Sequence, residues 1–221
     1  MPRFYRRKKL RKGGKRKYKT RFTKRVPKSN RALEALIMRQ TKSETKYIVG
    51  QIAAQNCDWT GAIVSMSPYI AQGLTASTRV GNHIHIKHVI LRYSITSLFA
   101  TLPGYNVRIV IGVYEGAAAP TVVQILGQTG TAYSTKSFYT TGQVGNFKIL
   151  HDKICTVNGG ASNSMISRYV KVPINHFANY STAAIGYPTN RRLFLIYIGD
   201  ITPANEQPTI TAQYKVYYAD K

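Results

Sequence analysis

Acidic residues are scarce in this chain: eight Asp and Glu stand against 32 Lys and Arg, a formal net charge of +24 over 221 residues. Such an imbalance excludes a partner-neutral surface and points to a polyanion, nucleic acid first among them. Cysteine is nearly absent. Cys57 and Cys155 are too few for a disulfide framework and suit a reducing compartment, where they read as small buried residues. No apolar run approaches the ~18 residues of a membrane span, and the N-terminus has no apolar signal-peptide core, so no membrane insertion is expected. The basic stretch holds too few apolar residues for an amphipathic membrane-surface helix. No period of ~20–50 residues recurs, which excludes solenoids and propellers.

The eight acids are Glu34, Glu44, Asp58, Glu115, Asp152, Asp200, Glu206 and Asp220, and no pair of them falls into a catalytic carboxylate, triad or phosphate-loop pattern. Ser164, Ser167 and His176 are ordinary polar positions. The chain is therefore read as a non-enzyme with no cofactor and no metal. His83, His85 and His88 form H-x-H-x-x-H. On a regular strand His83 and His85 share one face and His88 the other, so joint ligation needs a bulge.

What is present is sharply divided. Residues 1–31 hold sixteen Lys and Arg and no acid, whereas residues 47–221 hold thirteen basic and six acidic residues. The chain thus reads as a basic arm and short linker or helix over residues 1–45, then one folded domain over 46–221. The arm has little apolar surface to offset the entropy of ordering, and Gly13 and Gly14 break any helix, so it is expected to be disordered when free. Its candidate phosphate contacts are Arg3, Arg6, Arg7, Lys8, Lys9, Arg11, Lys12, Lys15, Arg16, Lys17, Lys19, Arg21, Lys24 and Arg25. Phe4, Tyr5, Tyr18 and Phe22 are interleaved among them as candidate base-stacking groups, the pairing used by sequence-tolerant single-strand binders. A basic run of this kind also serves nuclear import, and both roles are expected. Residues 32–46 carry a brief helical pattern in Leu33, Leu36 and Ile37, readable as a short helix or a linker.

Beyond the arm the apolar residues are β-branched or aromatic and come in short runs. Strands are expected at Tyr47–Ala54, Asn82–Leu98 (bent or bulged), Asn106–Tyr114, Phe147–Val157, Ser167–Pro173, Leu193–Gly199 and Thr209–Tyr218, with an eighth, short one near His176–Tyr180. Residues 55–81 and 174–191 read as long loops, and Pro120–Leu126 as one helical turn or two. Eight antiparallel strands with long end loops make an all-β sandwich, most simply a single jelly roll. An immunoglobulin-like sandwich stays open on pattern, but Trp59 lies only two residues after Cys57.

Several blocks carry a resemblance: the start MPRFYRRKK, RVGNHIHIKHVILRYSI (Arg79–Ile95), NVRIVIGVYEGAAAP, NFKILHDKICTV (Asn146–Val157), RRLFLIYIGD and the ending VYYAD. In order and spacing they resemble the capsid proteins of small circular single-stranded DNA viruses that encode a Rep initiator, the circovirus-like and related groups. The resemblance implies a virion protein with one jelly roll per subunit and a T=1 icosahedral homo-oligomer of about 60 copies. It also implies packaging of circular single-stranded DNA, assembly in the host nucleus and use of the host import machinery. Small satellite RNA virus coats share the layout. That reading, and a cellular nucleic-acid-binding protein of ribosomal type, stand as alternatives. Arg79, Arg92, Arg108, Arg191 and Arg192 are candidates for a second layer of phosphate contacts, or equally interface or surface arginines.

Overall fold

The computed structural model describes residues 44–74, 78–97, 104–116, 118–127, 135–158, 164–181, 185–201 and 207–220. The arm, its fourteen candidate contacts, its four aromatics and the helical pattern before residue 44 lie outside them. Among the described residues no helix is long and apolar enough to cross a membrane.

Alternation of apolar and polar residues produces the strands. In chain order they are β1 (Thr45–Asn56), β2 (Ala62–Ser65), β3 (Ile70–Ala71), β4 (His83–Ser97), β5 (Tyr105–Tyr114), β6 (Phe147–Val157), β7 (Ser164–Asn179), β8 (Ile185–Gly186), β9 (Arg192–Gly199) and β10 (Thr209–Asp220). A single helical turn, α1 (Val122–Ile125), and a 3-10 turn at Thr141–Asn146 lie between β5 and β6.

One four-stranded sheet has the order β1-β10-β4-β7 and the other β2-β9-β5-β6, every pair antiparallel. Apart from the β5–β6 hairpin, successive major strands alternate between the sheets. This double Greek-key winding is a jelly roll. The two-residue strands β3 and β8 pair separately.

The inner faces close on one core. From the first sheet come Ile84, Ile86, Val89, Leu91, Ile95, Ile210 and Val216; from the second, Val107, Ile109, Ile111, Leu193, Leu195 and Val157. A second, smaller cluster lies on the outer face of the second sheet. There Val110, Phe194, Ile196 and Ile198 are buried together with Ile125 and Leu126 of the α1 turn. That face is thus closed by the long β5–β6 connection, while the outer face of the first sheet has no such cover among the described residues.

Three expectations need correction. The eighth strand is not near His176–Tyr180: residues 176–179 continue β7, which runs through Pro173 and Asn175 and ends at Asn179. Both residues look like breakers, but β7 is an edge strand, where a proline costs no ladder bond on its free side. Asn175 adopts a left-handed φ of 50° that asparagine tolerates. The true eighth major strand is β2, inside the stretch expected to be loop. Finally, residues 45 and 46, at the end of the possible helix, belong to β1.

Candidate nucleic-acid interface

Register decides which outward side chains meet. The first sheet buries alternate residues, so the remaining ones project to its outer face in rows that cross the strands. One row is Tyr47, Tyr217, His88 and Pro173; the next Val49, Lys215, Ile90 and Lys171; the next Gln51, Gln213, Arg92 and Tyr169; then Thr211, Ser94 and Ser167. These fifteen positions include three cations, three tyrosines and a histidine, and no acid.

The aromatic and cationic groups are already arranged against one another. His88 stacks on Tyr217 with ring centroids 4.4 Å apart and planes 18° from parallel, and Tyr47 leans on the same tyrosine at 5.7 Å. Lys215 Nζ sits 5.0 Å over the Tyr47 ring, and the Arg92 guanidinium 5.6 Å over Tyr169. Both contacts lie within cation–π range. Burial, then Lys171 and Lys87, holds His88 below the usual histidine range, so its ring is neutral at neutral pH. Tyr47 and Tyr169 are half exposed, at 50% and 56%. Flat, water-facing rings among cations are the groups that stack on bases and hold phosphates.

His88 belongs to this platform because of a bulge. Register shifts between Ile86 and His88 against β7, and between Tyr217 and Tyr218 against β4. The extra residue turns His88 onto the face that His83 and His85 share, correcting the expectation that it points away. The three histidines nevertheless engage separately: His83 Nδ1 lies 2.8 Å from Asn179 Oδ1, and His85 packs on Phe177 at 4.8 Å. Among the described residues no group of His, Cys, Asp or Glu could hold a metal ion.

The five arginines of the expected second layer divide. Arg92 is exposed on the platform. Arg79 is fully buried: its guanidinium donates to Gly81 O, to Asn82 Oδ1 at 3.1 Å and to Ser181 O at 3.1 Å, and lies over the Tyr180 ring. It fastens the turn before β4 to the end of β7, and no part of it faces solvent. Arg108, 7% exposed, makes a two-pronged contact with Asp152, Nε to Oδ1 at 2.8 Å and Nη2 to Oδ2 at 2.6 Å. It also donates to Ser137 O at 2.5 Å, fastening the β5–β6 connection. Burial alone would raise the Asp152 pKa, but hydrogen bonds from Arg108 and Tyr139 outweigh it and hold the carboxyl below its ordinary range. Arg191 is in a surface pair with Glu115 at 3.2 Å, and Arg192 lies over the Tyr187 ring at 5.2 Å. Neither is on the first sheet.

Residue-by-residue reading missed Lys171, Lys215, Tyr47, Tyr169, Tyr217 and His88 as partners of Arg92. Their signal was the polar half of each alternating strand. Cys57 and Cys155 are buried free thiols, as expected, and burial pushes Cys57 up to about 12, which leaves it unreactive.

No protein-family model matches the chain, and no curated protein does. Among solved structures it is similar to a chain of Desmodium yellow mottle tymovirus, with a TM-score of 0.35 and 16% identity over 81% of this chain and 89% of that one. At that TM-score the likeness bears no weight, and the jelly-roll assignment rests on the strand order.

Proposed function

We propose that the protein is a viral coat protein whose jelly rolls assemble into a closed shell around nucleic acid held by the arm and by the outer face of the first sheet. The observation that carries this reading is one of charge: an acid-free run of sixteen cations fills residues 1–31, and the rows on the outer face of the sheet that β1 edges hold cations and tyrosines and no acid. A jelly roll supplies a rigid body with long end loops for contacts with neighbouring copies, and closed symmetry then makes the shell.

The resemblance to capsids of circular single-stranded DNA viruses favours a T=1 shell, DNA as cargo, and nuclear import through the same basic run. About 60 arms of sixteen cations would bring roughly 1,000 positive charges inside, enough to neutralise about as many phosphates. The platform suits unpaired bases, since a duplex hides the faces that tyrosines stack on.

Electron microscopy of the purified protein tests the shell, with nuclease digestion of the nucleic acid extracted from particles of infected material. Uniform closed spheres carrying DNase-sensitive nucleic acid are the expected result. RNase-sensitive cargo would replace DNA by RNA in the same reading. Protein that binds nucleic acid but stays monomeric or dimeric under every assembly condition would overturn the coat assignment.

A further inference from the structure

The platform is not uniform. The row of Gln213, Arg92 and Tyr169 forms a ridge across three strands, with a groove on either side. One groove, of about 480 Å³, is floored by Thr211, Ser94 and Ser167, hydroxyls aligned by register on β10, β4 and β7. The other, of about 240 Å³, is lined by Val49, Ile90, Lys215 and Tyr217. Hydroxyls and Arg168 stand on one side of Arg92, and apolar and aromatic surface with Lys215 on the other.

Resting on the nucleic-acid reading above, we propose that one single-stranded segment crosses the sheet at right angles to the strands. Its sugar-phosphate backbone lies in the hydroxyl groove and its bases in the aromatic groove, with Arg92 between them. Ser and Thr hydroxyls and Gln213 are suited to phosphate oxygens, which fix position without reading sequence. Tyr217, backed by His88, and Val49 and Ile90 offer the flat and apolar surface that bases seek on leaving water. The Arg92 guanidinium, held over Tyr169, presents one plane for stacking and its edges for phosphate, which an ammonium would not do.

The geometry also sets the length of the ligand. Four strands about 4.8 Å apart give a face about 14 Å wide, which spans roughly four nucleotides at about 3.4 Å per stacked step. A duplex is excluded because its bases cannot enter one groove while its backbone occupies the other.

The test uses the full chain, stripped of nucleic acid, and two probes of equal length and charge: a short oligothymidylate and its abasic counterpart. The arm's phosphate contacts contribute to both. Tyr217→Ala is expected to weaken the base-bearing probe roughly tenfold and leave the abasic one unchanged. The triple change Ser94→Ala, Ser167→Ala and Thr211→Val is expected to weaken both by the same factor. Equal losses on both probes from Tyr217→Ala, or no loss from the triple change, would overturn the two-groove arrangement while leaving the packaging function intact. Wild-type protein that binds neither probe would overturn both readings. Ultraviolet cross-linking of the unmutated chain to oligothymidylate gives an answer independent of any variant. Adducts on β1, β7 or β10 tyrosines are expected, and adducts confined to the arm would sink the proposal.

Discussion

Replacing Arg92 and Arg168 together by glutamine removes the two cations that line the hydroxyl groove while leaving the tyrosines of the platform in place. Each phosphate neutralised on a single strand contributes about 0.7 to the slope of log affinity against log salt, so two lost contacts lower the slope by about 1.4. Sixteen arm cations and these two, all engaged, give a slope of about 12.6 for the intact chain and about 11.2 for the double variant. Fluorescence anisotropy of a labelled long oligothymidylate, titrated at several sodium chloride concentrations, measures the slope directly. Tyr169→Ser provides the contrast: losing a stacking ring lowers affinity by about 1–3 kcal/mol at every salt concentration without changing the slope. A double variant with the slope of the unmodified chain would show that these cations touch no phosphate, and the platform would lose its assigned role.

Three further outcomes concern the scaffold. Arg108→Met strands the Asp152 carboxylate and is expected to cost about 2 kcal/mol in urea unfolding, the loss being limited because the Asp152 side chain keeps 32% of its surface in water. Adding Asp152→Asn should recover part of it. Gly112→Ala places a methyl 2.5 Å from Phe194 Cζ and 2.8 Å from the Lys148 carbonyl, so a thermal midpoint lowered by the equivalent of about 2 kcal/mol is expected. Acid should destabilise the domain in two stages. Burial, then Arg191, lowers His176 to about 4, so its contribution, on the order of 3 kcal/mol, is complete above about 6.5 and is lost as pH falls towards 4. The Asp152 contribution is present above the unfolded carboxyl range, about 3.9, and is lost on further acidification. Denaturant midpoints against pH should show both stages, with His176→Gln shrinking the first, to which His88 and His151, also lowered chiefly by burial, contribute the remainder.

Phe147–Val157 is found with the expected ends, and Asn106–Tyr114 only one residue longer, because Val107, Ile109, Ile111 and Val113 recur at period two and all enter the core, although β5 is buried on its other face as well. β2 was not legible, because Ala62–Ser65 is half-buried at every position and shows no alternation; its pairing with β9 exists only in three dimensions. Pro173 and Asn175 misled for the opposite reason, since local chemistry suggested an end that an edge strand does not require. The site divides in the same way. Alternation reveals which face Arg92 occupies, but the neighbours that give it meaning, Tyr169 and Gln213, arrive through pairings between distant strands. Charge alone could not separate Arg92 from Arg79 and Arg108, whose burial depends on carbonyls and a carboxylate contributed by other segments.

β10 lies between β1 and β4, although it is the last strand of the domain. On the ribosome, therefore, the arm and β1 emerge first, yet the sheet remains split until Thr209–Asp220 has been made and has slotted into the gap. Pairings over such sequence separation form slowly. A chain that stops short of Thr209 would still carry sixteen cations able to seize polyanions, but it would lack the strand bearing Lys215 and Tyr217 and could not close its sandwich. The topology thus makes closure of the sandwich wait for β10, so products truncated before Thr209 are left open to proteolysis.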